Sequence, residues 1–115
     1  MAVDPVLQGL VAGFVSEAQE LCQKVTKDLL TLERAVSGGD GLAKTYENLA
    51  RGLHTLKGSA ATLGLDDLSN IAHVMEDVVA PVRKAMAPFP PTAADELLKT
   101  LDVFMADTGR SIDEM

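Results

Sequence analysis

The stretch Arg51–Gly64, R-G-L-H-T-L-K-G-S-A-A-T-L-G, decides how this chain folds. From Leu49 onward its apolar residues recur at spacings of three and four, at Leu53, Leu56, Ala60 and Leu63. Such spacing puts them on one side of an α-helix, and that side must be buried. Because a helix turns about 100° per residue, His54 lies roughly 140° from the centre of this stripe. The stretch therefore predicts an amphipathic helix that buries one side and exposes a histidine on the other.

The composition around this helix favours an all-α domain. Of 115 residues, 47% are hydrophobic and only 3% are aromatic, so the core is expected to be aliphatic. We expect residues 1–115 to form a single domain, because this length can bury one core. The net charge of −7 argues against binding to nucleic acid and to an anionic membrane surface. The apolar N-terminal run lacks the basic segment of a signal peptide, and no run approaches the ~20 apolar residues that span a bilayer.

Glycines and prolines divide the chain into four amphipathic segments. The first predicted helix runs from about Pro5 to Val36 and the second from about Leu42 to Leu63; the third begins after an N-cap at Asp66, and the fourth begins at Thr92. Gly64 is expected to cap the second helix, and the run Pro88-Phe89-Pro90-Pro91 is expected to form a rigid break. The remaining stripes are Leu7, Val11, Phe14, Ala18, Leu21 and Val25 in the first helix, Leu68, Ile71, Met75, Val78 and Val82 in the third, and Leu97, Leu101 and Phe104, with Leu98, Met105 and Ile112 beside them, in the fourth.

Four such helices bury their stripes together as an antiparallel, up-down four-helix bundle. A long coiled coil is the alternative for spacings of three and four, and the glycine and proline breaks argue against it.

The neighbours of His54 suit phosphoryl chemistry. Lys57 follows one turn later and can neutralise a phosphoryl group, while Arg51, Gly58 and Ala61 share the exposed side of the helix. A neutral imidazole is a nucleophile near neutral pH. A glycine in an exposed helix interior costs about 1 kcal/mol relative to alanine, so either an approaching partner or a close helix crossing must explain Gly58. Spacing alone leaves open whether His54 accepts a phosphoryl group or is an ordinary surface histidine.

Three separated segments carry a family resemblance through their residues, order and spacing. They are F-V-S-E-A-Q-E-L at 14–21, H-T-L-K-G-S-A at 54–60, and I-A-H-V-M-E-D-V-V at 71–79. Together they resemble the histidine phosphotransfer (HPt) domain, and most closely the N-terminal domain of CheA-type chemotaxis kinases. The resemblance implies that His54 is phosphorylated at Nε2 and that Lys57 assists the phosphoryl group. It implies that Glu76 accepts a hydrogen bond from the other ring nitrogen, that His73 supports the site, and that Gly58 is the small residue of the motif.

The same resemblance implies a phosphocarrier and phosphoacceptor domain more than a complete enzyme. A kinase catalytic domain outside these residues would place the γ-phosphoryl group of ATP on His54. A response-regulator receiver domain, docking around Arg51, Gly58 and Ala61, would take that group onto an aspartate and supply Mg²⁺. No cofactor is expected on this chain itself, because its sequence has no glycine-rich phosphate loop and no kinase motif. The similarity of the first helix favours the N-terminal part of a multidomain kinase over a free-standing module.

Cysteine content and the two histidines complete the sequence-based expectations. The single cysteine, Cys22, is expected in the core, and the absence of a disulfide within the chain favours the cytoplasm. A helical adaptor that docks a partner without phosphorylation would have the same fold and composition. A metal-binding bundle is a third hypothesis, which lacks the E-x-x-H pairs or cysteine ligands that such sites use.

Overall fold

The computed structural model describes residues 5–34 and 41–113, which form four α-helices. Helix α1 is Pro5–Glu33, α2 is Leu42–Thr62, α3 is Asp66–Ala85 and α4 is Pro91–Asp113. Helices α1 and α3 each pack against both α2 and α4. The described residues therefore form the up-down four-helix bundle that the sequence predicts. None of these helices is both long enough and apolar enough to cross a membrane.

Most of the predicted stripes are confirmed as the core. In α2, Leu49, Leu53, Leu56 and Ala60 are fully buried. The buried side of α1 contains Val11, Phe14, Ala18 and Val25 and continues to Leu29 and Leu32, and that of α4 contains Leu97, Leu101 and Phe104. The side chains of Leu7 and Ile112 lie outside the described residues.

Cys22 is buried, as the sequence predicts. Burial raises the pKa of its thiol to about 11, so the thiol stays protonated at neutral pH. The side chain thus acts as a small apolar residue of the core.

Helix α3 is rotated relative to the prediction. Its fully buried residues are Leu68, Ala72, Met75 and Val79, whereas the predicted core residue Val78 is 38% exposed. Ile71 and Val82 pack at the edge of the core. The sequence of α3 offers two adjacent apolar stripes, and the short side chains of Ala72 and Val79 let the neighbouring helices approach the side on which they lie.

The helix ends confirm one predicted cap and correct another. Gly64 has a φ of 75°, and its N–H donates to Ala61 O at 3.0 Å while that of Leu65 donates to Ala60 O at 2.9 Å. These paired bonds are a Schellman motif, which needs a left-handed residue at the position of Gly64. The predicted N-cap at Asp66 is wrong: Leu65 occupies the cap, and Asp66 begins the helix. At that position the negative charge of Asp66 interacts favourably with the positive end of the helix dipole.

The other ends differ from the prediction by a few residues. Helix α1 ends at Glu33, and the predicted end at Val36 lies outside the described residues. Helix α4 begins at Pro91 rather than Thr92, because proline suits the first helical position.

The loop between α3 and α4 is fastened to the bundle. Phe89, predicted as part of a rigid break, is also fully buried, and its N–H donates to Leu32 O at 3.0 Å. The buried Tyr46 donates its hydroxyl hydrogen to Ala87 O. These bonds join the loop to the end of α1 and the start of α2.

Candidate functional site

His54 stands on the exposed side of α2, opposite the buried stripe. Its side chain is 72% exposed. A Cβ added at Gly58 would meet nothing within 4 Å, so a close helix crossing does not explain that glycine. The close approach lies elsewhere in α2, at Gly52, where an added Cβ would come 3.2 Å from Val25 Cγ2. The space beside His54, bordered by Gly58 and the exposed Ala61, is therefore open to another molecule.

Glu76 reaches His54 from the neighbouring helix α3. Its Oε2 lies 3.5 Å from Nδ1 of the ring, a little longer than a hydrogen bond. Catalytic hydrogen bonds are often this long before a substrate is bound. A carboxylate beside Nδ1 favours the neutral tautomer with its hydrogen on that atom, which leaves a lone pair on Nε2. The structure thus places Glu76, the residue that the family resemblance nominates, beside Nδ1 of His54.

Lys57 fixes the position of Glu76. Its Nζ lies 2.9 Å from Glu76 Oε1, and the two side chains are only 28% and 23% exposed. The Oε1 atom itself is inaccessible to solvent and makes no aligned hydrogen bond, so the contact is an ion pair. Partial burial weakens the screening of this pair by salt. One carboxylate therefore faces an imidazole with one oxygen and an ammonium group with the other.

Comparison with known proteins shows the family to which the chain belongs. The family model described as "Hpt domain" matches residues 10–107. The chain belongs to the Hpt domain family. It is 35% identical over 109 residues to the sensor histidine kinase CheAY of Helicobacter pylori, covering 90% of this chain and 13% of that protein. It is 33% identical over 104 residues to the chemotaxis protein CheA of Borreliella burgdorferi, covering 90% of this chain and 12% of that protein.

This Hpt domain is a histidine phosphotransfer module, and it spans about one eighth of the length of the curated relatives that it matches. No solved structure matches it significantly.

The carboxylate that lies beside His73, the second histidine of the Hpt domain, belongs to the same helix. The Nε2 atom of His73 lies 3.5 Å from Asp77 Oδ2. His73 also lines the groove between α2 and α3 that contains Lys57 and Glu76. The structure therefore brings it near the site but joins it to Asp77 rather than to Glu76.

Arg51 lies on the other flank of α2. Its Nη2 pairs with Glu47 Oε1 at 2.7 Å, and the side chains of Arg51 and Glu47 are 66% and 44% exposed. It lines the groove between α1 and α2, together with Thr55. Arg51 and Lys57 thus stand on opposite sides of the ridge that carries His54.

Two serines that the sequence analysis passed over support the Hpt site. Ser69 of α3 donates its hydroxyl hydrogen to Lys57 O at 3.2 Å, which ties α3 to α2 about two helical turns before Glu76. Ser59 donates to Glu17 Oε1 at 3.3 Å, which ties α2 to α1. Ser69 carries no sequence signal, because its partner is a backbone carbonyl twelve residues away. Across residues 5–34 and 41–113, no group of three or more His, Cys, Asp or Glu side chains could hold a metal ion.

Proposed function

We propose that His54 takes the γ-phosphoryl group of ATP from a histidine kinase catalytic domain and passes it to an aspartate of a receiver domain. The main support is the exposed imidazole whose Nδ1 faces Glu76, a carboxylate that Lys57 fixes from the opposite side. The relatives carry the names CheA and CheAY, which supports a role in chemotaxis-type signalling. ATP and reduced thiols such as that of Cys22 are both cytoplasmic, so the domain acts in the cytoplasm.

The forward step needs no proton to leave the ring. The Nε2 lone pair attacks the γ-phosphorus, the bond from phosphorus to the bridging oxygen breaks, and ADP departs with that electron pair. The ring then carries a phosphoryl group on Nε2 and a hydrogen on Nδ1, so it has gained positive charge. Glu76 offsets this charge at a distance of 3.5 Å. The kinase domain binds ATP, and this chain supplies the nucleophile.

The return step restores the starting ring. A carboxylate oxygen of the receiver attacks phosphorus, the N–P bond breaks, and Nε2 recovers its lone pair. Lys57 of this chain neutralises oxygens of the loose transition state, and the receiver would supply Mg²⁺ for the remaining negative charge. The ammonium group of Lys57 has three hydrogens, so it can contact Glu76 and the phosphoryl group together.

Radioactive labelling tests this proposal. The chain is incubated with a CheA-type kinase core and ATP labelled at the γ-phosphorus, and label stable to base but labile to acid is counted. The His54→Gln variant is expected to lose the label, because glutamine cannot form the phosphoramidate bond.

His73→Gln is the matched control, and it keeps an acid-labile label because it leaves the nucleophile in place. Circular dichroism checks that both variants retain the helical fold. Undiminished labelling of the His54 variant would exclude His54 as the acceptor. Absence of label on the wild-type chain would favour the adaptor hypothesis instead.

A further inference from the structure

The basic residues of this acidic chain are unevenly distributed. Three grooves border His54 and its helix: one between α2 and α3, and two between α1 and α2. Among the residues whose side chains the structure describes, six of the nine lysines and arginines line these grooves, but only four of the thirteen acidic residues do so. The six are Lys24, Lys27, Arg51, Lys57, Arg83 and Lys84. We refer to these six residues as the basic collar.

The net charges of the helices show the same uneven distribution of basic residues. Helix α2 has three basic residues against one acidic residue, and it is the only one of the four described helices in which basic residues predominate. Helix α4, which does not contact α2, has five acidic residues against two basic ones. The positive potential is thus concentrated around His54 and the negative potential away from it.

Most of the collar is available to a partner. Lys24, Lys27, Arg83 and Lys84 are exposed, and within the described ranges no carboxylate oxygen lies within 4.0 Å of their charged nitrogens. Asp28 is the one carboxylate in the groove of Lys24 and Lys27. Burial raises the pKa of Asp28, and Lys27 opposes that shift. The acidic groups in the grooves therefore leave the collar positive.

We propose that the basic collar docks an acidic protein surface, that of the receiver domain which takes the phosphoryl group from His54. This inference rests on the proposed function. A phosphoryl-accepting aspartate that works with Mg²⁺ must stand among further carboxylate ligands, so the receiver surface around it is negative. A chain of net charge −7 would repel such a surface unless its contact face were positive. The collar supplies that face on both flanks of the His54 ridge and speeds encounter by electrostatic steering.

Single-turnover transfer from phosphorylated chain to receiver tests the inference. Lys24→Glu changes the α1 flank and Lys84→Glu changes the α3 flank. Lys99→Glu is the matched control: it changes the charge by the same amount on α4, where Lys99 is 74% exposed. Each chain is first phosphorylated by the kinase, purified, and then mixed with receiver at low and at high salt.

We expect each collar variant to lower kcat/KM for transfer about ten-fold at low salt, the lower end of steering effects, while Lys99→Glu lowers it far less. In 1 M salt, where the Debye length is about 3 Å, all chains should transfer at similar rates. Equal losses for Lys99→Glu and the collar variants, or a loss that persists in 1 M salt, would contradict the proposal that the basic collar docks the receiver. Failure of the kinase to label the wild-type chain would overturn the proposed function, and this inference with it.

Discussion

The two histidines of this domain have the same distance to a carboxylate but different surroundings. His54 Nδ1 lies 3.5 Å from Glu76, and His73 Nε2 lies 3.5 Å from Asp77. Glu76 comes from a neighbouring helix, is 23% exposed and is fixed by Lys57. Asp77 belongs to the same helix as His73 and is 69% exposed. The distance alone therefore does not separate a reactive histidine from an ordinary surface histidine.

What separates the two pairs is how each carboxylate is held and which nitrogen it faces. An exposed pair within one helix contributes only a few tenths of a kcal/mol and exchanges readily with water. A half-buried carboxylate fixed by a lysine keeps its position while the ring gains charge. Glu76 also faces Nδ1, which in the proposed function leaves Nε2 to an incoming phosphorus, whereas Asp77 faces Nε2 of its own histidine.

The largest effect is expected when Glu76 loses its charge. Glu76→Gln should slow kinase-dependent labelling of His54 about 10- to 100-fold, because a neutral amide favours the reactive tautomer less strongly than a carboxylate and cannot offset the charge of the ring. The rate is measured from a time course of acid-labile label at saturating ATP.

Asp77→Asn is the matched control, since it makes the same chemical change in the adjacent residue and is expected to leave the rate within about two-fold. Equal rates for the Glu76 variant and wild type would mean that the His54–Glu76 pair contributes no more to labelling than the His73–Asp77 pair does.

Removal of the lysine that holds Glu76 should have the next largest effect. Lys57→Met should slow labelling about ten-fold, because Glu76 is released and the phosphoryl oxygens lose a positive neighbour. The same change in the Glu76→Gln background should cost clearly less, since part of the role of Lys57 is exerted through Glu76. Strictly additive losses in this double-mutant cycle would show that Lys57 and Glu76 act independently.

The sequence predicts only part of the difference between the surroundings of His54 and those of His73. The helical period of α2 is enough to expose His54, because Leu49, Leu53 and Leu56 must all be buried together. The family resemblance nominates Lys57 and Glu76, but their 2.9 Å contact depends on how α3 is rotated. The apolar spacing of α3 predicts this rotation wrongly, because it assigns Val78 to the core in place of Val79. Two apolar stripes on one helix have nearly equal periodicity, and only packing against α2 and α4 selects between them.

Access to His54 can be tested at Gly58, one of the two glycines inside α2. Gly58→Ala should raise the free energy of unfolding by up to about 1 kcal/mol, because the site is an exposed helix interior with open space. Transfer to the receiver should nevertheless slow, since the new methyl group stands beside His54. Urea unfolding and single-turnover transfer measure the two effects.

Gly52→Ala provides the contrast within the same helix. Its new Cβ would lie 3.2 Å from Val25 Cγ2, so overpacking offsets the gain in helix propensity. A stability gain at Gly52 equal to that at Gly58, or faster transfer by the Gly58 variant, would contradict the assignment of one glycine to packing and the other to access.

The smallest expected effect concerns the hydrogen bond that ties α3 to α2. Ser69→Ala removes the 3.2 Å hydrogen bond to Lys57 O and should lower the free energy of unfolding by about 0.5 kcal/mol. Because this bond joins α3, the helix that carries Glu76, to the backbone of Lys57 in α2, labelling of His54 should also slow, by about two-fold. Ser59→Ala removes the corresponding tie to α1, so it should cost similar stability and leave the labelling rate unchanged. If both serine variants slowed labelling alike, the effect would belong to the bundle as a whole. Slower labelling by the Ser69 variant alone would mean that Glu76 is aimed by the α2–α3 contact, a support that Asp77 and His73, on a single helix, do not have.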